Sequence, residues 1–180
     1  MKLRAEEWIK EPDEEGTGLL KALVGEGVQE IPLPVALSHV APGAVALGTE
    51  QEFELLLACT ERPKVYRDEA AFHAVLPSLD PESLIPIGLF PAPDEEEEED
   101  FVPDPVVYLN GRVVQTYEQP ELYGFNHTDV LYTLACQGNE YDCVLLPEDS
   151  FDEELRVGDI VSGIYVVSGI CALPDSGGAE

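Results

Sequence analysis

The residues with the clearest potential for binding chemistry lie in one polar segment, residues 117–128. This segment carries Tyr117, Tyr123 and Phe125, followed by His127. Aromatic rings offer large apolar contact areas, and a tyrosine hydroxyl adds a hydrogen-bonding group. Loops held by a rigid scaffold carry a large share of binding residues, so this segment is a candidate binding surface. The alternative is that the rings only cover one open end of the neighbouring core.

Cys136 and Cys143 are the only two of the four cysteines that lie close together in the sequence. If they sit on a hairpin that turns at Gly138 and Asn139, they are diagonal neighbours on one face. Diagonal Cα atoms lie roughly 7–8 Å apart, which is too far for a relaxed disulfide. No further ligands follow at metal-site spacing. The pattern predicts buried, reduced thiols, with no metal and no cofactor.

Catalytic motifs are not evident in the sequence. The three histidines are isolated from one another, and no serine stands in a recognised nucleophile motif. The acidic runs lack the alternate spacing and glycine turn of a calcium loop. An enzyme would need a cleft with converging carboxylates of raised pKa. We therefore expect no catalytic residues and favour a non-enzymatic protein, with an enzyme as a further alternative.

The charge of the chain restricts its partners. There are 37 acidic and 9 basic residues, for a net charge of -28. Nucleic-acid binding depends on Lys and Arg to neutralise phosphates, and anionic membranes repel an acidic surface. The acidity is explained by solubility or salt adaptation, by docking onto a basic partner, or by mimicry of a nucleic acid. We expect a protein partner, with a basic protein as one candidate, and the oligomeric state stays open.

Sorting signals are also absent from the sequence pattern. No apolar stretch approaches the ~20 residues that span a bilayer. The first residues lack the apolar centre of a signal peptide. These observations predict a cytoplasmic protein that does not bind membranes.

Residues 94–100 are seven consecutive carboxylates bracketed by prolines. Like charges in a row repel one another and bury nothing, so this run predicts a solvated linker. The chain is thereby divided into five segments. They are a flexible arm (1–18), a small α+β domain (19–93), the acidic linker (94–104), a β-barrel (105–172) and a disordered tail (173–180).

Periodicity predicts the elements of the N-terminal half. Glu52–Thr60 alternates as a strand does, and Lys64–Tyr66 is a shorter strand. Asp68 is a plausible N-cap for a helix over Glu69–Leu76. Leu3–Ile9 is a short candidate helix in the arm. This half is therefore predicted to be a small α+β unit.

The C-terminal half reads as four strand segments. They are Val106–Thr116, interrupted near Asn110-Gly111, then Val130–Cys136, Glu140–Leu146 and Ile160–Ala172. Gly163 and Gly169 in the last segment are typical of a strongly curved strand.

The order of these strands, with Asn110–Val113 in the first and Val157–Val161 before the last, resembles the OB-fold. That fold is a five-stranded, partly open barrel. The resemblance covers about residues 104–172, and small SH3-like barrels share much of the pattern. It implies the fold class α+β, mostly β, with a small N-terminal α+β unit followed by an OB-like five-stranded β-barrel. The whole arrangement also resembles a bacterial protein family, a likeness that implies no activity.

OB-fold families often bind single-stranded nucleic acid through a basic groove with aromatic platforms. Arg112 and Arg156 are the only basic residues in 101–172, against 12 acidic ones. The leading hypothesis is therefore a non-enzymatic protein-interaction module. The alternative is an OB-type module for a ligand or single-stranded nucleic acid that clusters these arginines with N-terminal bases. The predicted binding residues are Tyr117, Tyr123, Phe125, His127 and Arg112.

Overall fold

The structure is a computed structural model that describes residues 1–25, 30–91, 101–146, 151 and 154–171. Most of the predicted linker (94–100) and the predicted tail (173–180) lie outside the described residues.

Strands dominate the described residues. They are β1 (Lys2–Lys10), β2 (Gly18–Val24), β3 (Ile31–Leu37), β4 (Glu50–Cys59), β5 (Lys64–Tyr66), β6 (Ser83–Ile85), β7 (Val106–Tyr117), β8 (Val130–Cys136), β9 (Asn139–Leu145) and β10 (Ile160–Cys171). One α-helix, α1 (Glu69–Val75), and two 3-10 helices, Ile87–Leu89 and Pro120–Tyr123, complete the described secondary structure.

Five strands from both ends of the chain form a first closed ring. The order around it is β1, β2, β3, β10 and β4, and β4 returns to β1. The pairings are antiparallel except for β3 with β10, which is parallel. Closure leaves no exposed edge between these strands, because each has a hydrogen-bonded neighbour on both sides.

A second ring uses two of the same strands. Its order is β7, β8, β9, β4 and β10, and β10 returns to β7. The only parallel pair among these described strands is β9 with β4. Strands β4 and β10 therefore belong to both rings and form the wall between them.

The two rings repeat one pattern of hydrogen bonds. In the first, the Gly48 N–H donates to the Ala5 carbonyl of β1 at 2.7 Å. In the second, the Gly158 N–H donates to the Val113 carbonyl of β7 at 2.8 Å. Both glycines have positive φ, 79° and 96°, which a side chain disfavours. Each half of the chain thus contributes a similar four-strand unit, and each unit needs the last strand of the other to close its ring.

The core is continuous across the shared strands. Leu57 of β4 and Val167 of β10 face each other and are fully buried. The hydroxyls of Tyr132 and Tyr165 are 3.0 Å apart inside the second ring, which satisfies two buried polar groups with one hydrogen bond. The apolar side chains of both rings form one cluster.

The structure confirms that the chain is mostly β and contains a ring of hydrogen-bonded strands. Helix α1 begins at the expected N-cap, since Asp68 Oδ1 accepts the Ala71 N–H at 2.8 Å. The predicted strands over β4, β5 and β10 are also present.

The candidate helix in the predicted arm is wrong, because Lys2–Lys10 is strand β1. Leu3 and Ala5 alternate into the core as expected for a strand. The register with β2 then shifts twice, between Ala5 and Glu7 and between Trp8 and Lys10. These shifts remove the two-residue period that identifies a strand in a sequence.

A five-stranded barrel confined to 105–172 is not confirmed. The described part of that range contains four strands, and their ring closes through β4. Strand β10 also pairs with β3 and β5, so strands on both sides of the predicted linker share one sheet. The division of the chain into separate domains stays a prediction.

Two details of the C-terminal strands differ from expectation. Strand β7 runs through Asn110-Gly111 without a break, and its irregularity falls between Val113 and Gln115. The hairpin after β8 turns at Gln137 and Gly138, which both have positive φ. This is the pattern of a type I′ turn, and it sets Cys143 opposite Tyr132.

Candidate functional site

The loop between β7 and β8 is built from short local turns. Pro120 starts the 3-10 helix, and Gly124 ends it in a left-handed conformation with φ of 84°. The Asp129 carboxylate then accepts the Asn126 N–H at 2.7 Å, and the Asp129 N–H donates to the Asn126 carbonyl at 3.0 Å. These turns fix the direction in which the aromatic side chains leave the backbone.

Three of the predicted binding residues come together in space. Tyr117, Tyr123 and Phe125 all line one cleft of about 540 Å³, which we call the loop cleft. The rings of Tyr117 and Tyr123 meet edge to face, with centroids 4.9 Å apart and planes at 72°. Tyr123 is 58% exposed, so the aromatic group is accessible to a partner.

The remaining lining of the loop cleft combines apolar and acidic side chains. Leu55 of β4, Leu131 of β8 and Ile170 of β10 supply apolar surface. The carboxylates belong to Glu54 of β4 and to Glu140 and Asp142 of β9. Among the described residues that line the cleft, the one cationic group is the α-ammonium of Met1, which donates to the Phe53 carbonyl at 2.7 Å. The three carboxylates outnumber it, so the lining carries net negative charge with aromatic and aliphatic surfaces close by.

A buried hydroxyl connects the aromatic side of the cleft to its acidic side. Thr133 Oγ1 donates to Asp142 Oδ1 at 2.8 Å and lies 3.3 Å from the Tyr117 hydroxyl. Thr133 is only 5% exposed, so its rotamer is held by the surrounding structure. One side chain thus fixes both a ring and a carboxylate of the loop cleft.

The other two predicted binding residues lie elsewhere. His127 is exposed and does not line the loop cleft. Arg112 pairs with Glu69 at 2.7 Å and donates to the Gly158 carbonyl at 3.3 Å. Its guanidinium therefore links β7 to α1 and to the turn before β10, away from the aromatic group.

Basic side chains line a different cleft of about 650 Å³. It is formed by Arg62, Lys64 and Arg67 with Val65 and other residues around β5 and α1. Arg67 is paired with the carboxylate of Asp159, whose side chain is 5% exposed. The main group of cations is thus separate from the loop cleft.

The predicted burial of Cys136 and Cys143 is confirmed, but their predicted diagonal placement is wrong, because the turn at Gln137 and Gly138 sets Cys136 opposite Asn139 and Cys143 opposite Tyr132. None of the four forms a disulfide, and Cys59, Cys136 and Cys143 are buried. Burial raises the pKa of the Cys136 thiol to about 12 and that of Cys143 well above its usual value. Buried thiols of this kind stay protonated and unreactive, because the thiolate is the nucleophile.

Thiol labelling checks this arrangement. At about pH 8 in the native protein, we expect one thiol per chain to react with an aromatic disulfide reagent within minutes. That thiol is Cys171, which is partly exposed. The other three should react only after guanidinium unfolds the chain, which serves as the control. Rapid labelling of two or more thiols in the native protein would show that the core opens.

No group of three or more His, Cys, Asp or Glu side chains within the described ranges could hold a metal ion. The helices in that part of the chain are all too short or too polar to cross a membrane.

Sequence reasoning missed the acidic side of the loop cleft and its support by Thr133. Glu140 and Asp142 alternate with the buried Tyr141 and Cys143, so the period of β9 already indicates that both carboxylates share an outer face. Their proximity to Glu54 depends on the parallel pairing of β4 with β9, which joins residues far apart in the chain.

Comparison of the chain with protein families, curated proteins and solved structures finds no match.

Proposed function

We propose that this chain is a non-enzymatic protein-interaction module that captures a basic partner in the loop cleft. The observation that carries the proposal is the convergence of Tyr117, Tyr123 and Phe125 with three carboxylates on one accessible cleft. Aromatic side chains dominate the energetics of protein interfaces, because they bury a large area with few rotatable bonds. The acidic wall then selects for positive charge.

The charge of the whole chain supports the same partner class. A net charge of -28 produces a field that attracts a basic protein and speeds its association. The three carboxylates that line the loop cleft attract a cationic group that enters it.

We further propose that the second ring is an OB-like barrel. Its support is the five-strand ring and the position of the loop cleft. The cleft is bordered by the loop between the first two strands of the ring and by the outer face of its second and third strands, β8 and β9. OB-folds bind their ligands at this loop and on this face.

The alternative of single-stranded nucleic acid has less support. Such binding combines stacking rings and cations along one groove. Here Tyr117 and Tyr123 lie among carboxylates, whereas Arg62 and Lys64 line a separate cleft. Arg112, which the alternative needs, is already paired with Glu69.

Capture from lysate with three immobilised baits tests the proposal. The baits are the wild type, the double variant Tyr123→Ala/Phe125→Ala, and Leu122→Ala. Leu122 belongs to the same 3-10 helix, is 73% exposed and does not line the loop cleft, so it is a matched control. We expect basic proteins retained by the wild type and by Leu122→Ala to fall about tenfold or more on the double variant.

Two further measurements decide what a change in capture means. Retention should weaken when salt rises from about 50 to about 300 mM, because exposed charges are then screened. The double variant should melt within about 2 °C of the wild type, since Tyr123 is exposed and the half-buried Phe125 lies outside the core cluster. Equal capture by all three baits contradicts the proposal. A large fall in melting temperature would instead show that the rings cover the core.

A further inference from the structure

The aromatic side of the loop cleft forms a corner. The rings of Tyr117 and Tyr123 stand at 72° to each other with centroids 4.9 Å apart, and Phe125 lines the same space. The face of an aromatic ring carries negative electrostatic potential, so a cation placed over it is attracted. Tyr123 is 58% exposed and Tyr117 and Phe125 are half-buried, so water competes in part for a cation in this corner.

The acidic side of the cleft adds acceptors for a charged donor. Glu54, Glu140 and Asp142 can accept hydrogen bonds from an ammonium or guanidinium group. Asp142 Oδ1 already accepts from Thr133, and no partner is found for its second oxygen within the described ranges. The Thr133 hydroxyl holds this carboxylate and the Tyr117 ring in fixed positions, so the two are ordered before a ligand arrives.

The apolar residues of the cleft suit the stem of a long basic side chain. Leu55, Leu131 and Ile170 line the cleft alongside the charged and aromatic groups. Lys and Arg bury their methylene stems on apolar surface and keep the charged head among polar groups. The volume of about 540 Å³ admits such a side chain together with the backbone that carries it.

Resting on the proposed function, we infer that the loop cleft binds a lysine or arginine side chain of a basic segment in the partner protein. The rings of Tyr117, Tyr123 and Phe125 contact the cation, and the Glu54, Glu140 and Asp142 carboxylates accept its hydrogen bonds. Thr133 acts as a positioning residue. Acetylation of a captured lysine removes its charge and is expected to release it.

Titration with defined peptides, followed by NMR of the labelled Tyr and Phe rings, tests this inference. The peptide probes are a short peptide of alternating lysine and glycine, the same peptide with arginine, and two uncharged forms with acetyl-lysine or norleucine. Spermidine is added as a free polyamine. We expect the lysine and arginine peptides to shift the resonances of the loop-cleft rings saturably. The two uncharged forms should bind about tenfold or more weakly.

Variants with matched controls assign the roles of individual residues. Asp142→Asn keeps an oxygen for Thr133 but removes a charge, and it should weaken the lysine peptide about fivefold or more. Glu121→Gln removes an exposed charge from the same loop outside the cleft and should change little. Thr133→Val keeps the shape of the side chain but breaks both hydrogen bonds. Thr133→Val should lower the affinity for the lysine peptide and leave the already weaker affinity for the norleucine peptide unchanged. Thr116→Val, at an exposed position, is the matched control.

Three outcomes overturn the inference. Equal binding of the norleucine and lysine peptides would mean that the cleft takes an apolar side chain, with the proposed function still standing. Stronger shifts with spermidine than with the lysine peptide would assign the cleft to free polyamines. If Asp142→Asn binds the lysine peptide with unchanged affinity, the carboxylates do not contribute to recognition of the cation. If instead the Tyr123→Ala/Phe125→Ala bait captures its partners normally, the proposed function itself fails.

Discussion

A polypeptide that contains only residues 101–180 is expected not to fold. Its strands β7, β8, β9 and β10 would lack β4, which closes their ring. In the full chain, residues 56–58 of β4 pair with β9 and residues 53–57 of β4 pair with β10. The loss would expose Tyr165, Val167 and other buried side chains. Each large apolar side chain returned to water costs about 1.5–3 kcal/mol, so several of them together match the roughly 5–15 kcal/mol that stabilises a typical domain.

The measurement is an amide NMR spectrum with a thermal melt. For 101–180 alone we expect narrow chemical-shift dispersion and no cooperative transition. Addition of a second polypeptide, residues 1–91, supplies β1 to β6 and should restore dispersion by complementation. A dispersed spectrum and a sharp melt from 101–180 alone would contradict the shared-strand architecture. Such a result would support the prediction from the sequence that residues 105–172 form a barrel of their own.

The second large effect is expected from Leu57→Ala. Leu57 is fully buried, faces Val167 across β4–β10 and faces Cys143 across β4–β9. Removing its side chain leaves a cavity where the two rings meet, with an expected loss of about 3 kcal/mol from the free energy of unfolding. For a chain of this size the melting temperature should fall by roughly 6–12 °C.

Calorimetry and amide hydrogen exchange check this prediction. Because Leu57 lies in both rings, protection should decrease together in β1–β2 and in β8–β9. The exposed Leu122→Ala variant should stay within about 0.5 kcal/mol of the wild type, which controls for loss of a leucine as such. Loss of protection in only one pair of strands would show that the rings unfold separately.

Local signals identified most of the elements. Asp68 and the acidic first turn marked α1, and the alternation of Phe53, Leu55 and Leu57 marked β4. Each of these signals comes from residues close together in the sequence, within one or two helical turns or within one strand. Strand β1 was missed because its two register shifts disrupt the same local period.

The residues of the candidate site also fall into two groups, those whose positions the sequence predicted and those whose positions it did not. The clustering of Tyr117, Tyr123 and Phe125 was predictable, because a short loop with Pro120 and Gly124 keeps neighbouring side chains near one another. His127 and Arg112 were expected with them, and both lie outside the loop cleft. Arg112 is held instead by Glu69 of α1, and this contact joins residues 43 positions apart, which no local pattern indicates.

The sequence by itself determined that this chain is mostly β, strongly acidic and provided with an aromatic loop. Hydrophobic alternation, charge count and turn residues are properties of short segments, and they are independent of what packs against them. Only the tertiary structure decided that β4 and β10 serve both rings and that Glu54, Glu140 and Asp142 meet the aromatic loop. Those contacts join residues more than a hundred positions apart, such as Phe53 and Cys171. Strand pairing at that range is set by burial of the whole core rather than by any local pattern.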